Sequence, residues 1–127
     1  MADKLITNYE DVTVYGLDAD TEVLLLAQQK ELTFCWTTKD GSPMASILSY
    51  FYADGKFWMT SAAHRKRVPA IRRDPRVALV ITSANLPMGG SRTVTYKGTA
   101  RVLDDVDTKK WFYRALAERL YETFGEN

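Results

Sequence analysis

The sequence predicts an α+β domain built around a mainly antiparallel β-barrel with short flanking helices. Three observations carry this. Five runs rich in β-branched, aromatic and aliphatic residues follow one another through the middle of the chain. Asp40-Gly41 and Asp54-Gly55 stand between the first three of them, and Asp-Gly between such runs is the strongest short-range hairpin signal. Helical spacing of apolar residues is confined to one stretch near each end and a short basic segment between. A chain of 127 residues is one domain, so 1–127 is read as a single unit.

In chain order, Asp20-Thr21 announces an amphipathic helix over Glu22 to Lys30. Leu32 to Thr38 is the first strand and Met44 to Ala53 the second. Lys56 to Ser61 is the third, giving a three-stranded antiparallel meander. A helix follows, beginning near Lys66 because Pro69 is accepted only in a first turn, and ending before Asp74-Pro75. Arg76 to Thr82 is a continuous apolar strand, and Ala84 to Ser91, with Pro87 and Gly89-Gly90, a loop. Arg92 to Leu103 alternates as another strand, with a bulge or close backbone approach expected at Gly98. Asp104-Asp105 then starts a helix carrying Val106, Trp111, Phe112, Leu116 and Leu120 at helical spacing.

Composition limits the chemistry. Seventeen Lys and Arg against sixteen Asp and Glu leave a net charge of +1, so global attraction to nucleic acid or an anionic membrane is absent. No apolar run approaches the length of a membrane span, and the polar start lacks a signal-peptide core, so the expected location is the cytoplasm. One cysteine, Cys35, excludes an intrachain disulfide, and with one histidine, His64, no metal cage is expected. His64 reads as a cap or surface residue at a helix entry rather than a base or haem ligand. Cys35, in an apolar strand beside Trp36, reads as an inert packed thiol.

The charge is nevertheless uneven. Residues 64–76 hold six cations (Arg65, Lys66, Arg67, Arg72, Arg73, Arg76) against Asp74 alone, which calls for an anion nearby or a solvated helix face. Just upstream, a strand ends in Thr60-Ser61. Hydroxyls, helix-start N–H groups and cations together suit a phosphate-bearing ligand. It is not a Walker loop, since no Gly-rich GK[ST] element is present. The consecutive Tyr50-Phe51-Tyr52 should expose at least one ring, because strand neighbours point to opposite faces. Trp58 and Met59 should likewise divide between core and surface, and Trp111-Phe112-Tyr113 reads as core packing.

Three motifs in order, Asp54-Gly55-Lys56-Phe57-Trp58-Met59-Thr60-Ser61 with Arg65-Lys66, then Ile71-Arg72-Arg73-Asp74-Pro75-Arg76-Val77-Ala78-Leu79-Val80, then Tyr96-Lys97-Gly98-Thr99-Ala100-Arg101-Val102, make the chain resemble the pyridoxamine 5′-phosphate oxidase-like split β-barrel flavoproteins over roughly residues 22–105. The resemblance implies a split barrel that forms a homodimer, with FMN or the deazaflavin coenzyme F420 in an interface groove and a small organic substrate. It places Thr60, Ser61, Arg65 and Lys66 at the cofactor phosphate. Met44, Ala45, Ser46 and Ile47 belong to the strand along the ring system, and Thr93 to a position facing the ring. The oxidase has Arg at the position of Met44, Lys at that of Ser49 and Gln at that of Thr93. These departures, with the Arg-Arg-Asp-Pro wording, favour the deazaflavin-dependent actinobacterial branch. Members usually add a strand after the last helix, so a domain short of one C-terminal strand, or a fragment, is expected. The implied activity is hydride transfer between cofactor and substrate, with no side chain singled out as catalytic. The alternative is a flavin, F420 or haem carrier or sensor of the same fold. A nucleic-acid-binding module is disfavoured because the basic run lacks interleaved aromatics.

Overall fold

The computed structural model describes residues 3–4, 17–60, 65–90 and 92–124. Seven strands and three helices lie within them: β1 (Asp3–Lys4), α1 (Ala19–Gln28), β2 (Glu31–Thr37), β3 (Pro43–Ser49), β4 (Phe51–Ala53), β5 (Lys56–Trp58), α2 (Arg67–Arg73), β6 (Arg76–Thr82), β7 (Thr93–Thr99) and α3 (Val106–Phe124). Five strands form one sheet in the order β1-β7-β6-β2-β3, and β4 and β5 form a separate hairpin. Every pairing is antiparallel.

The core lies on one face of the large sheet. Alternation points Leu32, Phe34 and Trp36 of β2, and Val77, Leu79 and Ile81 of β6, to that side, where all are buried. Leu25 and Leu26 of α1 and Ala70 and Ile71 of α2 close over them. The opposite face, with Ala45, Ile47, Cys35, Ala78 and Lys97 in register, is exposed or half-exposed. Among the described residues, no helix is long and apolar enough to cross a membrane.

Local signals set most boundaries. The basic helix occupies Arg67–Arg73, and β6 spans Arg76 to Thr82. The Asp54-Gly55 turn has positive φ at both residues, 55° and 69°, the combination whose twist matches a two-residue hairpin. Asp105 accepts the Thr108 N–H at 2.9 Å and starts α3, which at 19 residues is not a short helix. The cap of α1 differs from expectation. Asp18, not Asp20, accepts the Thr21 N–H at 2.8 Å, so the helix starts at Ala19. That bond holds the Asp18 carboxyl below the usual carboxylate range.

The long second strand is divided. After Ser49 the Tyr50 N–H turns to the Lys30 carbonyl at 3.1 Å, and the Tyr50 hydroxyl donates to the Leu26 carbonyl at 2.9 Å. The chain thus leaves the large sheet under the end of α1, and the expected meander is split between two sheets. This also overturns the exposed-aromatic expectation. Tyr50 and Phe51 are buried, and Tyr52 packs on Phe57 and the core. Phe51 meets Phe112 and Trp111 of α3 at ring separations of 5.3 and 5.7 Å, so this segment is covered on both sides. Met59 packs against the core, while Trp58 donates to the Ala53 carbonyl at 2.9 Å and meets Trp111 edge-on. The third strand stops at Trp58. The last one is shorter than expected, Thr93–Thr99, and its ladder runs through Gly98 opposite Val77 without a bulge.

Candidate functional site

β3 is the last strand of its sheet, hydrogen-bonded on one side to β2, and among the described residues its outer edge has no strand beside it. A free edge presents alternating N–H and C=O groups. Its side chains divide by alternation. Met44 and Ser46 point to the core side, where Met44 at the strand's beginning remains 47% exposed, while Ala45 and Ile47 lie on the open face, with Ile47 67% exposed. The strand proposed to run along a ring system is therefore accessible along its length and apolar on both sides.

Arg65 and Lys66 lead into α2, both exposed, with Lys66 at the cap position in helical geometry and making no side-chain capping bond. Burial, and secondarily Arg65, disfavours the charged form of Arg67, so cations crowd this helix start. The helix itself offers fewer donors than expected. Pro69 has no N–H, and that of Val68 is spent on the Arg65 carbonyl at 3.1 Å. Any anion here is held mainly by side chains.

Thr60 is exposed just beyond β5, its hydroxyl 3.2 Å from that of Tyr113 on α3. The sequence reads Tyr113 as core packing within Trp111-Phe112-Tyr113, and the structure corrects this. Only Phe112 of the Trp111-Phe112-Tyr113 run is buried, with Trp111 41% and Tyr113 55% exposed, because three successive residues cannot share one helix face. Ser61 and His64 lie outside the described residues.

Thr93 lies apart from Met44 in the chain's own sheet. It pairs with Thr82 at one end of β6, whereas Met44 pairs with Trp36 near the opposite end of the sheet. Five residues along the strands and three strands across put them roughly 20 Å apart. Cys35 sits half-exposed on the open face between Ala45 and Ala78, not packed in the core, because its neighbours Phe34 and Trp36 take the core side. A cleft of about 1110 Å³ opens at the Thr37–Gly41 end of the sheet, lined by none of the predicted cofactor residues.

The family model for pyridoxamine 5′-phosphate oxidase matches residues 6–127. The chain belongs to the pyridoxamine 5′-phosphate oxidase family. Solved structures agree in fold. An F420 reductase is 22% identical with a TM-score of 0.61, over 76% of this chain and 73% of that one. A FAD-binding protein from Mesorhizobium loti is 21% identical with a TM-score of 0.65, over 85% and 78%. The heme storage protein HutZ from Vibrio cholerae is 15% identical with a TM-score of 0.58, over 87% and 78%. The chain spans 57% of a conserved hypothetical protein from Mycobacterium tuberculosis, covering 72% of its own length at 21% identity and a TM-score of 0.63. No curated protein matches significantly. The pyridoxamine 5′-phosphate oxidase family accounts for the α+β architecture, a split β-barrel with helices at its flanks.

Proposed function

We propose that this family member is a dimeric oxidoreductase that binds F420 or FMN along the free edge of β3, F420 the more tightly. The observation that carries the reading is the accessible, apolar β3 edge in a chain whose α2 start gathers Arg65 and Lys66. The residues fit such a group. Met44 and Ile47 offer apolar surface to a planar ring system, the strand's outer N–H and C=O groups can bond ring heteroatoms, and Arg65 and Lys66 with Thr60 suit a phosphate. F420 is favoured because Met44 supplies no guanidinium to a phosphate.

The cofactor, when bound, supplies the hydride chemistry. The chain's own residues bind it, fix its orientation and exclude water from the reacting face. A second copy of the chain completes the groove. It covers the open face around Ile47, and it lets Thr93, far from Met44 in one subunit, approach the cofactor carried on the other copy's β3. The F420 reductase among the structural relatives supports the hydride-transfer reading, and HutZ keeps haem carriage as the alternative.

Titration of the purified protein with F420, FMN and haem, followed by absorbance and fluorescence, tests this. Saturable binding with the lowest dissociation constant for F420 is expected. A lower constant for FMN reverses the cofactor ranking. Saturable binding of haem alone replaces the oxidoreductase with a carrier. Sedimentation of the F420-saturated protein as a monomer would remove the shared groove.

A further inference from the structure

The basic segment does a second thing that cofactor binding leaves unused. Its six cations separate along α2. Arg65, Lys66 and Arg67 stay at the start, Arg72 turns to Asp104 at 3.6 Å, and Arg73 and Arg76 reach the other end of the helix. There they meet Lys39, from the turn after β2, and Lys97, from β7, around the cleft of about 1110 Å³. Among the described lining residues, these four cations face one carboxylate, that of Asp74.

That carboxylate is already committed. Arg76 grips it with two bonds, Nε to Oδ1 at 2.9 Å and Nη2 to Oδ2 at 2.8 Å. The pairing holds the Asp74 carboxyl at about 2, so it stays ionised and bound to Arg76 at neutral pH. Lys39, Arg73 and Lys97 make no ion pair with a described side chain. Helix-dipole compensation accounts for an Arg at the end of α2. It does not account for a turn lysine and a strand lysine, distant in sequence, converging with that Arg on one concavity. Thr37 and Thr99 add hydroxyl donors to the same wall.

We infer that this cleft binds a small organic polyanion, a molecule with two or more phosphate or carboxylate groups, at a site separate from the proposed cofactor groove. The cleft's volume of about 1110 Å³ far exceeds what a single phosphate fills and lies just above the usual span of small-molecule sites. Cations that converge on a concavity and outnumber its carboxylates concentrate field and select multiply charged ligands over monovalent ones.

The test uses the full chain without added cofactor, at physiological ionic strength. Amide NMR spectra are followed on adding sodium pyrophosphate in one series and sodium citrate in another. Saturable shifts are expected at Lys39, Gly41 and Gly98. Tighter pyrophosphate binding identifies a phosphate ligand, and tighter citrate binding a polycarboxylate. Lys39→Ala and Lys97→Ala should each weaken binding about tenfold, the loss of one charge-assisted contact. Arg72→Ala, whose guanidinium pairs with Asp104, should bind as the wild type does. All three sites are exposed, and dispersed amide spectra verify the fold of each variant. No saturable shift with either anion overturns the inference, as do shifts centred on Lys66 or unchanged affinity in both lysine variants. None of these outcomes depends on whether F420 binds at β3.

Discussion

The two faces of the five-stranded sheet are made by the same strands and have opposite fates. On one, Leu32, Phe34, Leu79, Ile81, Val94 and Tyr96 are buried under helices α1 and α2 and the β4–β5 hairpin, whose Phe57 packs on Tyr96. On the other, Ile47, Ala45, Cys35, Lys97 and Thr93 remain exposed or half-exposed. A period-two pattern decides which residue goes to which side. It does not decide whether a side is covered by the chain itself or by something else. The open face is not polar enough to be a purely solvated surface, as Ile47 and Val80 show, and not apolar enough to be an internal one.

The most severe way to break the contrast is from the covered side. Leu79→Ala should cost about 2–5 kcal/mol by leaving a cavity under the helices. Thr95→Ala, one strand over on the open face, should stay within about 0.5 kcal/mol. Urea unfolding of both variants measures the difference, and equal losses would mean that the open face is also packed.

Next in size is Lys66→Ala at the start of α2, where the proposed charge-assisted contact to the cofactor phosphate would be worth roughly 1.5–3 kcal/mol. F420 affinity should fall by about one to two orders of magnitude, with the unfolding midpoint unchanged. Titration of the folded variant reads this, Arg72→Ala serves as the control, and unchanged affinity in Lys66→Ala removes the phosphate role.

A third test concerns the junction where the chain leaves the sheet. Burial pushes the Tyr50 hydroxyl from 10.0 up to about 12, with Arg119 opposing. Its folded value is above its unfolded one. The stability it contributes is therefore complete below pH 10 and drains away as pH rises through about 12. Tyr50→Phe should lose about 1 kcal/mol at neutral pH with the bond to the Leu26 carbonyl. Its alkaline unfolding curve should also be shallower than the wild type's over that window. Identical slopes would place the alkaline sensitivity elsewhere.

The smallest effect is expected from Ile47→Lys, where a charge replaces a side chain that is 67% exposed. Thermal unfolding should hardly move, while sedimentation should show weaker association of the proposed dimer. If the wild type dimerises and the variant dimerises equally well, the open face is not the contact.

What the sequence made legible is local. Asp54-Gly55 specified its hairpin because two consecutive positive φ angles admit few other residues, and Pro69 with Asp74-Pro75 bracketed α2 because proline geometry acts at short range. The break at Tyr50 was illegible, since Phe51 and Tyr52 are as strand-like as Ile47 and Leu48. Only the Lys30 carbonyl and the underside of α1, set by tertiary packing, divert the chain. The candidate site shows the same division. Arg65 and Lys66 stand out as a charge pattern, whereas Tyr113 beside Thr60 depends on how α3 docks. The separation of Thr93 from Met44 depends on strand order.

The contacts around Gln29 bear on the order in which this chain can acquire its structure. The Arg119 guanidinium donates to the Gln29 carbonyl at 2.8 Å and lies 5.7 Å from the centre of the Tyr50 ring, while the Gln29 amide nitrogen donates to the Thr82 carbonyl. One short stretch after the first helix is thus secured by partners 53 and 90 residues further along. Loops of that length close late, and topologies dominated by distant contacts fold slowly. During synthesis, β2 and β3 can pair long before Arg119 has been made, yet the corner they form with α1 lacks its final fastening until α3 arrives. Shortened chains that stop before α3 should consequently be vulnerable to proteolysis at this corner, even with the large sheet already assembled.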